Sequence, residues 1–208
     1  MIGRATTLVL ALVATIAALV VVPVGAHATT PATVRGTAAT SVRRTTVLTK
    51  AGHLRAKYTV ASTRRGRCWT TSLENGRLYR CMGGDLVMDP CWKEAGRHSV
   101  VCLPAPWRTK VARLRLTRHL PATSRSRPRL WGLRIGDGVG ARCTANQGAS
   151  FKVGGKWVSY YCQRGWVLTG RPDRSTPQWT MSTARKVGGH YRSRGVKHLS
   201  VAWKPVVH

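Results

Sequence analysis

The residues of this chain best suited to covalent or metal chemistry are six cysteines, Cys68, Cys81, Cys91, Cys102, Cys143 and Cys162. Thiols form disulfides, hold zinc or cycle in a redox switch. No two of these have the Cys-x-x-Cys spacing that a thiolate switch or zinc knuckle uses, so structural disulfides are the chemistry expected of them. The acids offer less. Glu74, Asp85, Asp89, Glu94, Asp137 and Asp173 are the whole carboxylate inventory, and a glycosidase needs two carboxylates facing one cleft. Asp85 and Asp89 are the pair closest in sequence, yet Asp89-Pro90 and Gly136-Asp137-Gly138 read as turns in which aspartate caps the backbone. The histidines His53, His98, His119, His190 and His198 are scattered among basic neighbours. Neither a Gly-x-Ser-x-Gly elbow nor a His-Glu-x-x-His helix accompanies them, so no catalytic residue, metal ligand or cofactor is assigned.

Non-covalent chemistry is dominated by charge. Lys and Arg number 35 against 6 acids, a formal net charge of +29, and such an excess attracts anionic polymers from a distance. Three basic clusters are candidate polyanion-binding sites: Arg64, Arg65 and Arg67; Arg125, Arg127 and Arg129 ahead of Trp131; and Arg185, Lys186, Arg192, Arg194 and Lys197 around Tyr191. Contact by counterion release needs no base reading, and no nucleic-acid motif points to sequence-specific binding. A charge run is also the usual form of a solvated face or linker. Arginine in excess of lysine, with abundant alanine, glycine and valine, is equally what a GC-rich genome encodes.

The elements that would position these groups begin with an export signal. Arg4 precedes an apolar run from Leu8 to Val22, Pro23 breaks it, and Ala26-His27-Ala28 places small residues at a cleavage point. The run is shorter than the roughly 20 residues of a membrane-spanning helix, so the mature chain is expected to have no membrane span and to be secreted or held at the cell wall. Removing the first 28 of 208 residues leaves 180, enough for one domain or two small ones. An oxidising compartment outside the cytoplasm agrees with the cysteines.

Residues 29–53, rich in threonine and alanine, read as a flexible tether with at most one strand near Val42 to Leu48. From Leu54 on, short aromatic and β-branched runs separated by glycine or proline give an all-β pattern. Leu114 and Leu116 alternate with charged or polar neighbours, as do Leu199, Val201 and Trp203. Phe151 to Val153, Gly154-Gly155 and Trp157 to Cys162 form a hairpin signal, because two glycines accept the positive φ of a primed turn.

Aligning Cys81 on Cys162 places Tyr79 on Tyr160, Gly84 on Gly165, Leu86 on Val167 and Val87 on Leu168, while Arg67-Cys68 matches Arg142-Cys143. The fold expected is therefore two similar disulfide-stapled β units, 54–123 and 131–208, joined by a basic linker at 124–130 and packed as a sandwich or small barrel of eight to ten strands. Equivalent cysteines would make equivalent bonds, Cys68 to Cys81 and Cys143 to Cys162, with Cys91 to Cys102 closing an extra loop; chance recurrence of tyrosine-x-cysteine strands is the alternative. Of eight tryptophans, Trp131, Trp157, Trp166, Trp179 and Trp203 sit in strand-like runs where an indole is usually core, and Trp69, Trp92 and Trp107 lie beside cysteines or prolines.

Cys68-Trp69-Thr70-Thr71-Ser72-Leu73 resembles the Cys-Trp-Thr-Ser-Ser-Leu motif of a group of secreted bacterial cysteine-rich proteins, with Thr71 in place of a serine. Arg80-Cys81-Met82, Asp89-Pro90-Cys91, Val100-Val101-Cys102, Leu114-Arg115-Leu116-Thr117, Cys143 and Tyr161-Cys162 extend the likeness across Gly66 to Trp203. The resemblance implies an exported cysteine-rich domain and carries no catalytic residue, substrate or cofactor. The expectation is an exported, non-enzymatic basic protein that adheres to an anionic envelope polymer or acidic macromolecule. Its rivals are a hydrolase of a wall or extracellular polymer and a sugar- or small-ligand-binding module that uses exposed tryptophan.

Overall fold

Strand boundaries follow the turn residues. Gly154 and Gly155 adopt φ of 54° and 75° and join β9 (Lys152–Val153) to β10 (Lys156–Cys162), the primed hairpin that their lack of a Cβ permits. The computed structural model describes residues 38–123 and 129–208. The export signal, residues 29–37 of the expected tether, and Arg125 and Arg127 lie outside the described residues.

The first barrel is a meander of five strands: β2 (Thr59–Thr71), β3 (Tyr79–Gly83), β4 (Leu86–Lys93), β5 (Ser99–Cys102) and β6 (Lys110–Leu116). Successive strands run antiparallel, so with an odd number the first and last meet in parallel. The β2–β6 seam does so from Thr59 opposite Lys110 to Gly66 opposite Leu116. Its interior holds Cys68, Cys81, Cys91, Cys102, Val100, Leu114 and Leu116. Space there is short: a Cβ on Gly83 would lie 2.6 Å from Leu114 Cδ2.

The second barrel has six strands: β7 (Gly132–Ile135), β8 (Arg142–Ala145), β10, β11 (Trp166–Asp173), β12 (Thr180–Val187) and β13 (His190–Pro205). An even meander closes antiparallel, and β13 pairs with β7 from Leu199 opposite Ile135 to Trp203 opposite Gly132. Leu133, Ile135, Tyr160, Leu168, Met181 and Leu199 fill it together with Cys143. Each half thus closes its own barrel around its own core, rather than sharing one barrel of eight to ten strands.

Three disulfides join directly opposed residues on neighbouring strands. Cys68–Cys81 links β2 to β3, Cys91–Cys102 links β4 to β5, and Cys143–Cys162 links β8 to β10. These are the pairs that repeat equivalence gives. The sulphurs of Cys81, Cys91 and Cys102 lie within 4.8 Å of one another, but each is already bonded to carbon and sulphur as a disulfide, and a metal binds the thiolate.

Residues 38–53 differ from the expected tether. β1 (Ser41–Thr45) runs parallel to β13, from Ser41 opposite Val201 to Thr45 opposite Pro205, taking the edge of β13 that β12 has left. Val47 and Leu48 are then buried with Tyr58, Leu78, Trp92, Val101 and Trp131 on the outside of the first barrel. Burial of these apolar groups holds a segment whose threonine-rich composition suggests disorder. The Trp92 and Trp131 rings pack 5.7 Å apart, and Trp92 Nε1 donates to Val206 O at 3.0 Å. Among the described residues no helix is long and apolar enough to cross a membrane.

Candidate polyanion-binding site

The fate of the acids decides what the cations are free to do. Glu94 accepts from Arg113 Nε at 2.9 Å and Nη2 at 2.7 Å, and from Ser99 Oγ at 2.6 Å. Burial opposes its charge, but those bonds hold the carboxyl below the usual range. Asp137 accepts from His198 N and pairs with His198 Nδ1, both at 3.0 Å, which outweigh slight desolvation and lower its pKa. Asp173 accepts from Ser175 N at 2.9 Å, and Asp85 is exposed beside Gly84 in the β3–β4 turn.

Glu74 and Asp89 meet in the interior, each 1 % exposed. The pair that the fold brings together is therefore Glu74–Asp89, not Asp85–Asp89, and Asp89 lies within β4 rather than in a turn. Ser72 Oγ donates to Glu74 Oε2 at 2.9 Å, and Leu73 N donates to Asp89 Oδ2 at 3.1 Å. Burial raises the Glu74 pKa well above its usual value, and the Asp89 charge adds to this. Burial also raises Asp89, against the hydrogen bonds from Glu74, Ser72 and Leu73 and the charge of Arg80. Both carboxyls lie beneath the surface, where burial favours their protonated forms. A sealed dyad cannot act on a polymer.

With the acids thus engaged, Arg113–Glu94 is the one ion pair between a Lys or Arg and a carboxylate among the described residues. The cations of the second barrel stand in rungs. Arg185 on β12 lies directly opposite Arg192 on β13, beside Lys186 opposite Tyr191. Arg134 on β7 lies directly opposite Arg142 on β8. All of these cations are exposed. Like charges directly opposed on a ladder destabilise the pair, with Cβ atoms about 4.5–5.5 Å apart. Each rung also has one guanidinium laid on an indole: Arg185 lies 5.6 Å from the Trp166 ring and Arg142 lies 5.8 Å from the Trp107 ring. Stacking fixes the guanidinium plane and leaves its N–H edge for an acceptor.

The 3-10 turn Gln163–Gly165 connects the rungs. Gln163 Oε1 accepts from Arg142 N at 3.3 Å, Arg164 Nη1 donates to Val139 O at 3.3 Å, and Gly165 backs onto Lys186. Arg164 itself is held at φ 59°, a left-handed conformation that costs a non-glycine residue about 1 kcal/mol. A contiguous rim results, made of Arg134, Arg142, Arg164, Arg185, Lys186 and Arg192. Its two guanidinium pairs suit tetrahedral oxyanions, which accept such forks in parallel.

Comparison with protein-family models, with curated proteins and with solved structures finds no match to this chain. The site is read from its own chemistry.

Of the residues predicted from sequence, Arg185, Lys186 and Arg192 come together in the rim. Arg194 and Lys197 follow along β13, Arg64, Arg65 and Arg67 lie on β2 of the other barrel, and Arg129 lies between the barrels with its N–H donating to Leu73 O at 3.1 Å. Sequence reasoning missed Arg134, Arg142 and Arg164. They stand alone in the chain, and only strand register puts them opposite or beside another cation. Trp157, expected in the core, is 56 % exposed with Lys152 Nζ 5.1 Å from its ring. Trp69 is 43 % exposed and faces Arg80.

Proposed function

We propose that this chain is an exported, non-enzymatic protein that adheres to anionic polymers of the cell envelope through the basic rim of its second barrel. The observation that carries the reading is the pair of opposed arginine rungs, each with one guanidinium stacked on tryptophan and none paired with an acid. Tolerated repulsion of that kind is relieved by an oxyanion between the guanidiniums. The leader-like N-terminus and three disulfides support a location outside the cytoplasm, and the likeness to secreted cysteine-rich proteins agrees with it.

Binding is favoured over polymer hydrolysis for a specific reason. The Glu74–Asp89 pair is sealed, and the Asp137 carboxylate is occupied in holding both the backbone and the ring of His198. The test uses poly-dT as a phosphodiester chain without sequence. Binding to the full chain should weaken steeply with salt, and Arg185→Ala/Arg192→Ala should lower the log–log slope by about 1.4, at roughly 0.7 per cation on a single strand. Salt-insensitive binding, or a double variant that behaves as wild type, would refute the rim.

A further inference from the structure

The first barrel carries a second concentration of cations, away from the rim and differently shaped. An open cavity of about 390 Å3 lies between the β4–β5 turn and the segment leaving β6. Six polar residues line it: Tyr79 from β3, Lys93 from the end of β4, Arg97 and His98 from the turn, and His119 and Thr123 after β6. The rings of His98 and His119 meet edge to face at 5.9 Å, and Leu116 N donates to His98 O at 2.9 Å, which ties the turn to β6. Among the described residues no carboxylate lines the cavity. The acid of the turn, Glu94, is buried, with Arg113 and Ser99 donating to it. Burial raises the Tyr79 phenol and so keeps it an O–H donor.

The remaining wall is apolar, formed by Leu116, Leu120 and Pro121. Donors converging beside a hydrophobic floor, in a space of this size, are the attributes of a small-molecule site rather than of a polymer track. We propose that this cavity binds a small oxyanion carried on an apolar body, an aryl or alkyl sulfonate, phosphate or carboxylate. The head group meets Lys93, Arg97, Tyr79 and the two imidazoles, and the body lies on Leu116, Leu120 and Pro121.

Calorimetric titration of the disulfide-intact chain with benzenesulfonate tests this. Arg97→Ala and His98→Ala/His119→Ala should each weaken binding, the former on the order of tenfold, as the loss of a charged donor implies. These side chains are exposed, so the variants keep the fold. Arg185→Ala/Arg192→Ala should bind the probe as wild type does, which separates this site from the polymer rim. The proposal falls if folded wild-type protein shows no binding, if Arg97→Ala binds as wild type does, if the rim variant loses the probe, or if inorganic sulfate binds as well as the aryl sulfonate.

Discussion

The first barrel brings β2 and β6 together in parallel, whereas the second inserts β7 between β8 and β13, the strands equivalent to them, and closes antiparallel throughout. One strand changes the lumen. A narrower barrel has less room for side chains, and the five-stranded one is filled by two disulfides, Leu114 and the bare backbone of Gly66 and Gly83. The six-stranded one accommodates Tyr160, Leu168, Met181 and Leu199 with a single disulfide. Apolar burial dominates the wider barrel and cross-links the narrower one.

The largest test of this contrast removes sulphur. Replacing Cys68, Cys81, Cys91 and Cys102 by alanine should cost about 6 kcal/mol, at roughly 3 kcal/mol for each loop in the chain-entropy account, a figure comparable with the whole stability of a domain. Hydrogen exchange should then show the first barrel open and the second protected. Replacing Cys143 and Cys162 should cost about 3 kcal/mol and leave both barrels closed; equal losses of protection in the two variants would break the contrast.

Packing changes of opposite sense should destabilise each barrel, the wider by more. Leu168→Ala hollows the wider core and should cost about 2–5 kcal/mol in urea unfolding. Gly83→Ala adds one methyl to the narrower core, against Leu114, and should cost about 1–3 kcal/mol.

The sealed dyad gives the first barrel a dependence on pH. Both carboxyls have raised pKa values in the folded chain, so between the unfolded values near 4 and the folded ones the native state holds more protons than the unfolded state. Their stabilisation is complete in acid and is lost as pH rises, with a slope of about 1.4 kcal/mol per pH unit for each retained proton. Glu74→Gln keeps a donor toward Asp89 without the titration. Urea midpoints of the variant should match wild type at pH 4 and exceed it increasingly toward pH 7.

The smallest effect is expected at Arg164. Arg164→Gly relieves the left-handed backbone, offset by glycine's freedom when unfolded, and should gain about 0.5 kcal/mol. The same change should lower the poly-dT salt slope by about 0.7. Greater stability with weaker binding would mark the conformation as kept for the ligand.

Local chemistry was readable from the residues. The glycine pair at 154 and 155 makes its hairpin, and Leu114 and Leu116 point inward as their alternation requires. Register was not. Trp157 sits in a strand-like run, yet the buried positions of β10 are Val158 and Tyr160, and Trp157 faces solvent. Glu74 and Asp89 stand 15 positions apart with no motif between them, and only the fold of β4 against the loop after β2 joins them. β1 overlaps the stretch from Val42 to Leu48 where one strand is expected, but its partner lies at the far end of the chain, and no local signal gives that pairing.

That partnership places the entire first barrel inside a bracket. Ser41–Thr45 zip onto Val201–Pro205, so everything between them is, topologically, one long loop tied at its neck. A chain delivered from its N-terminus can finish the five-stranded barrel early, yet β1 must wait for the last strand to arrive. Fastening of the neck is the late step, and trimming a few residues beyond Trp203 should loosen segments that left the ribosome first.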